Sequence, residues 1–230
     1  DVEGRTSAGI QTVHWDLRVQ PVPDLGLGGG FGTTLNGPFV LPGEYRVTLH
    51  VDGRDVGTET VRVAGDPAVE IADADRRAQF QAAMALHALH ERADEAFSGV
   101  TVAYEQVEAL REALGEGGDD VPEAVSTRLE EIAEALEPVR QRFGVAVRGF
   151  GQQNVRSQVT RLKREIVSST SRPSETQARR IGESRDALGE AIGEANVAIG
   201  EVRDFYGDLV AQGLYPVDLK LIAPLASGTR

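Results

Sequence analysis

The chain contains no cysteine. Disulfides, thiolate metal sites and cysteine nucleophiles are therefore excluded, while every cellular compartment stays open. No apolar run approaches the ~18 residues that would suggest a membrane span. No stretch has the charged, apolar, small-residue order of a signal peptide. Positive charge is in short supply: 24 Lys and Arg stand against 36 Asp and Glu, for a net charge of −12. Such a surface repels nucleic acid and anionic membrane, so neither is an expected partner. What remains is an ordinary globular composition, with 230 residues, 40% hydrophobic and 26% charged. That is enough for one large domain or two small ones. The chain starts at Asp1 in mid-pattern, as a processed or excised piece of something longer would.

The segment "DLGLGGGFGTT" at 24–34 places five glycines within seven residues. A phosphate or dinucleotide loop needs a preceding strand, fixed glycine spacing and a helix opening at once after it. Gly26 and Gly28 would require a glycine at 31, where Phe31 stands, and no Gly-Lys-Ser/Thr follows. A strand pattern follows, so no helix N-terminus is offered to an anion. The run is expected to be a long inter-strand loop and no nucleotide site.

Through residue 67 the chain alternates at period two. "QTVHWDLRV" sets Val13, Trp15 and Leu17 against His14, Asp16 and Arg18, and "EYRVTLHV" sets Tyr45, Val47, Leu49 and Val51 against Glu44, Arg46, Thr48 and His50. These spacings predict half-buried strands. Asp52-Gly53 predicts a hairpin turn into "TETVRVAG". Pro42-Gly43 has type II turn chemistry. About four strands are visible, which is thin for a closed sandwich.

From Asp73, a plausible N-cap, the period becomes seven. Leu86, Ala93, Val100, Val107 and Leu114 recur at that spacing, with Leu89, Ala96, Ala103 and Leu110 beside them. This predicts a long helix of coiled-coil character, weakest at Gly99. A second helix opens at Pro122 and carries Val125, Leu129, Ile132, Leu136, Val139 and Phe143, with Pro138 expected to kink or break it. A third carries Val155, Val159, Leu162 and Ile166. Ser174 and Gln177 form a capping box for the last, which carries Ile181, Leu188, Ala195, Val202 and Leu209 and ends near Gly213. Mutual burial of these stripes predicts an antiparallel bundle of three or four helices over 73–213. The apolar tail 214–230 is expected to pack on the body or a partner.

Candidate chemistry is sparse. His87 and His90 lie at i, i+3, but no Glu precedes either by three and no later helix carries a histidine, so no metal site is expected. The default is histidines on the bundle edge. Asp16 and Arg18 are expected to form a surface ion pair of about 0–1 kcal/mol. The runs "RLEEIAEALEPVRQR" and "RLKREI" read as solvated helix faces. Gly189, Gly193, Asn196 and Gly200 step along the last helix opposite its apolar seam. Each interior glycine costs about 1 kcal/mol relative to alanine, tolerable where another backbone approaches. This face is the candidate partner-docking surface.

Three stretches then carry a resemblance: "AGIQTVHWDLRV", "GPFVLPGEYRVTLHVDGRDVGTETVRVAGDP" and "ADADRRAQFQAAMALHAL". They resemble the C-terminal region of large bacterial sortilin-like proteins, often labelled glycosyl hydrolase, sialidase-repeat or photosystem II stability factor-like. In that family a β-propeller precedes a small immunoglobulin-like domain and a helical region. The resemblance implies an immunoglobulin-like β-sandwich over 1–67, a helical bundle over 73–213, and a secreted or envelope setting. It implies no catalytic residue and no cofactor in these 230 residues, which hold no propeller repeat. The expected task is protein–protein contact: docking on the family's propeller or joining subunits, with homo-oligomers possible. The rival is an accessory domain of a secreted glycan- or peptide-acting hydrolase, which exposed loop aromatics would favour. The long loop offers only Phe31 and Phe39.

Overall fold

The computed structural model describes residues 2, 4, 9–23, 36–116, 122–144 and 154–211. Six elements follow in order: β1 (Gly43–Val51), β2 (Arg54–Val63), α1 (Asp73–Glu116), α2 (Glu123–Phe143), α3 (Val155–Val167) and α4 (Glu175–Ala211). No helix among these residues is long and apolar enough to cross a membrane.

The described residues form no immunoglobulin-like β-sandwich of the kind expected over 1–67. Among the described residues the sheet is a single antiparallel pair, β1 with β2. The hairpin itself forms as its turn residues dictate: Asp52 and Gly53 both take positive φ, 50° and 75°, as a tight two-residue turn requires. Tyr45 faces Val61 and Thr48 faces Thr58, with a bulge between Leu49 and His50. The stretch 11–19 alternates correctly but does not extend into a strand. Leu17 sits in the left-handed region at φ 60°. Asp16 Oδ1 accepts the Arg18 backbone N–H at 3.0 Å, and Trp15 Nε1 donates to the Arg18 carbonyl. Those side-chain bonds consume main-chain groups that a ladder would need. What survives is one bridge, Arg18 to Phe39. Gly43 has no positive φ, so the expected type II turn is also absent and β1 begins there directly. The glycine run at 24–34 lies outside the described residues.

The helical part is a three-column bundle built from four helices. α1 runs unbroken through Gly99 for 44 residues, about 66 Å at ~1.5 Å per residue. Asp73 is its first residue and not the residue before it. α4 lies parallel to α1: Arg172, just before α4, approaches Asp75 at 3.5 Å, and far below Tyr206 Oη donates to the Gln106 carbonyl at 3.1 Å. The third column runs opposite to both and is made of two helices end on end. α2 fills its lower half, where Glu130 meets Arg111 and Arg128 meets Glu201. α3 fills the upper half, where Gln79 Nε2 donates to the carbonyls of Ile166 and Ser169.

The apolar spacing explains this packing. Leu86, Ala93, Val100 and Val107 on α1 are all fully buried, as are Leu188, Ala195 and Val202 on α4. α2 buries all six apolar positions expected of it and continues through Pro138 to Phe143. The column breaks a turn later, at Gly144, whose φ of 93° is a left-handed C-cap. A Cβ there would stand 2.3 Å from Asn154 Nδ2. Asn154 is itself the N-cap of α3, its Oδ1 accepting the Ser157 N–H at 2.7 Å. Glycine thus lets the two caps touch. The Ser174–Gln177 capping box forms in both directions at the start of α4.

Candidate functional site

α1 is apolar toward α4 and α2, but one line of it is not. His87, His90, Asp94 and Phe97 step three, four, three, and so share a face. On α3, Arg156 and Lys163 stand seven residues apart and face that line. The result is a buried chain of polar groups. Lys163 has no exposed surface at all, and His87, His90 and Asp94 are also buried. Lys163 Nζ lies 3.1 Å from His90 Nδ1. His90 Nε2 lies 3.4 Å from Asp94 Oδ2. Arg156 Nε donates to Asp94 Oδ1, and its guanidinium sits over the Phe97 ring, 4.7 Å from the centroid.

The donor inventory fixes how this chain runs. A lysine ammonium only donates, so His90 Nδ1 accepts and its proton resides on Nε2, aimed at Asp94. Burial pushes the His90 imidazole down to about 4, overriding the pull of Asp94 in the other direction; Lys163 adds to the fall. Burial likewise brings the Lys163 amine down to about 8, with Asp94 opposing. His87 is lowered by burial and by Lys163, and its Nδ1 is buried without a partner. At neutral pH the group therefore holds two cations, one carboxylate and two neutral imidazoles. An amine of this kind could act as a nucleophile if substrate reached it. Lys163 is closed to solvent, so the arrangement clamps α3 on α1 instead.

The sequence reading and the structure part company here. His87 and His90 are not on the bundle edge. "RLKREI" is not a wholly solvated face, since Lys163 lies at its centre. Asp94, Arg156 and Lys163 were not singled out by sequence. The available signal was their heptad position: Lys163 follows Val159 by four and Arg156 by seven, on the margin of α3's apolar stripe. Asp16 and Arg18 do pair on the surface, at 3.9 Å. No group of three or more metal-ligating side chains occurs among the described residues.

The candidate docking residues Gly189, Gly193, Asn196 and Gly200 fall along one face of α4. Gly193 is exposed and the other three are half-buried. Gly182 and Gly207 extend the line. A Cβ at Gly182, Gly193, Gly200 or Gly207 would meet nothing within 4 Å. Those four glycines thus leave open space beside α4, and Val197 beside the line is 66% exposed.

A second uncovered surface lies on the hairpin. Tyr45, Val47, Leu49, Val61 and Val63 share one face with Gly57 and Glu59, opposite Glu44, Arg46, Thr48, Thr58, Thr60 and Arg62. Trp15 covers one end, its ring edge-on to Tyr45 at 5.4 Å. Val47, Leu49 and Val61 stay between 43% and 59% exposed. No family model, no curated protein and no solved structure matches this chain.

Proposed function

We propose that this chain is a non-catalytic docking module of a secreted or envelope-associated multidomain protein, contacting that protein's β-propeller or a neighbouring subunit. The carrying observation is the uncovered face of β1 and β2, apolar except for Glu59 opposite Val47. A lone two-stranded hairpin is marginal in water, and a sheet with one apolar face needs a second layer about 10 Å away. The helical columns bury their own stripes and leave that layer to something else. The glycine line of α4 supplies a second contact surface, and the sortilin-like resemblance supplies the propeller as the expected neighbour. The reading as an accessory domain of a glycan- or peptide-acting hydrolase gains little here. Phe39 is 54% exposed, but the Arg18 guanidinium already stacks on its ring at 3.5 Å, and Phe31 lies outside the described residues.

Light scattering of the native material tests the proposal. A docking module is recovered in an assembly heavier than the 24.6 kDa chain. The double substitution Val47→Asp, Leu49→Asp dissolves that assembly and leaves helical circular dichroism unchanged. Native material that runs as a lone monomer, or an assembly indifferent to those substitutions, overturns it.

A further inference from the structure

Where the base of the hairpin meets the top of the bundle, the chain forms a pocket of ≈ 600 Å³ that is partly open to solvent. That volume falls within the range of small-molecule sites. Its walls come from separate parts of the chain. Phe39 and Val63 stand on the hairpin side; Ile71 and Phe80 come from the start of the helical part; Val167 comes from the end of α3. The floor is held in place by Gln79, whose amide donates to two carbonyls at the end of α3.

The polar groups of the wall are nearly all engaged with their own surroundings. Arg18 donates to the Gly37 carbonyl and covers Phe39. Asp66 accepts the Ala68 N–H at 2.8 Å and so turns back on its own loop. Ser168 donates to the Glu165 carbonyl, and Ser169 bonds to Ser171. Arg76 is different. Its guanidinium lies beside Gly65, 3.5 Å from where a Cβ there would stand. Its backbone N–H donates to the Ala72 carbonyl, but the guanidinium has no hydrogen bond or ion pair among the described residues. A half-buried guanidinium without a counter-ion, at the edge of an apolar chamber, is complementary to an anion carried on an apolar body. Its planar fork fits a carboxylate through two parallel bonds.

We propose that this cavity binds a small amphipathic carboxylate, with the apolar body on Phe80, Val63 and Val167 and the carboxylate on Arg76. The site shares only the buried Val63 with the hairpin face, uses none of the exposed Val47, Leu49 and Val61, and stands or falls independently of the docking reading. The probes are octanoate, octanol and octylamine, titrated into the whole chain by calorimetry and by methyl NMR. Octanoate binds saturably and at least ~10-fold more tightly than either uncharged octanol or cationic octylamine, a ratio within reach of one charge-assisted bond pair. Its saturation shifts the methyl signals of Val63 and Val167. Arg76→Gln, checked for helix content, weakens octanoate by ~10-fold or more and leaves octanol unchanged. Equal affinity for octanoate and octanol, unaltered octanoate binding by the variant, or no saturable binding overturns the proposal. The comparison among the three probes uses the unaltered chain, so it decides the matter even if the variant misfolds.

Discussion

Lys163 Nζ stands 3.1 Å from His90 Nδ1 in a contact shut off from solvent, so a cation is held by a neutral imidazole deep between two helices. A charge in that position is stabilised only as long as the imidazole keeps its lone pair. Protonating His90 would turn both partners into donors facing each other. The contact between α1 and α3 therefore depends on pH.

The sign follows from the direction of the shift. His90 falls from its usual 6.5 to about 4 in the folded chain. Between those values the unfolded chain binds the proton and the folded chain resists it. The stability contribution is fully present above about pH 6.5 and is lost as pH falls toward 4. A shift of this size is on the order of 3 kcal/mol. Lys163 acts at the other end: its amine falls from 10.5 to about 8, so stability rises between those values. Urea unfolding between pH 7 and pH 4 should show the acid loss, and His90→Gln should flatten it. An equal slope in both proteins would assign the acid sensitivity elsewhere.

Among the described residues, Asp94 is the only carboxylate in direct contact with His90 and Arg156. Removing it with Asp94→Ala leaves Lys163 and Arg156 facing each other across neutral imidazoles, a loss of roughly 3–5 kcal/mol. Lys163→Met removes the most expensive buried charge and keeps the stem's packing. It should cost about 1–3 kcal/mol, less than the aspartate variant, because Asp94 keeps Arg156 and only the neutral His90 Nδ1 loses its partner. Denaturant midpoints of the two variants give the comparison. A lysine variant as damaging as the aspartate variant would show that the ammonium contributes net stability.

How much of this was legible can be judged residue by residue. The helices were, because their cores are written at heptad spacing: Leu86 to Val107 and Ile181 to Leu209 are buried where that spacing puts them. Ser174 with Gln177 and Asp52 with Gly53 were also legible, since each is a local rule that needs no distant partner. Strand 11–19 misled because alternation says nothing of the Asp16 side chain capping the Arg18 N–H. Pro138 misled because it sits five residues before the end of α2, where tertiary packing of Leu136, Val139 and Phe143 holds the helix. The buried Lys163 was hidden by composition: it stands in a run of charges, and only the position of α3 against His90 and Asp94 reveals it.

The glycine line of α4 separates folding from assembly. A Cβ at Gly193 or Gly200 enters open space at helical φ. Alanine there removes a helix penalty, so each Gly→Ala should raise the stability of the separate chain by about 0.5–1 kcal/mol. A docking face responds in the opposite sense in the assembly, because a larger side chain holds the two backbones apart. Gly193→Leu is the sharper probe: the melting temperature of the isolated chain holds or rises while the assembly dissociates. A firmer helix with the assembly unchanged would leave these glycines with no docking role.

Gly144 is where alanine should do harm. Its φ of 93° lies in the left-handed region, and its Cα faces the Asn154 amide so closely that a Cβ would stand 2.3 Å from Nδ2. Asn154 cannot withdraw freely, since its Oδ1 caps α3 through the Ser157 N–H. Gly144→Ala therefore carries a backbone penalty and the loss of an N-cap, each about 1 kcal/mol, and together roughly 2 kcal/mol. Asn154→Ala removes the obstacle along with the cap. In the background of Asn154→Ala, the glycine substitution should retain only its backbone part. A double-mutant cycle by urea unfolding reads the difference as a coupling energy between the end of α2 and the start of α3. Zero coupling would mean that the two halves of the third column are joined by the connecting chain alone, and not by the meeting of their caps.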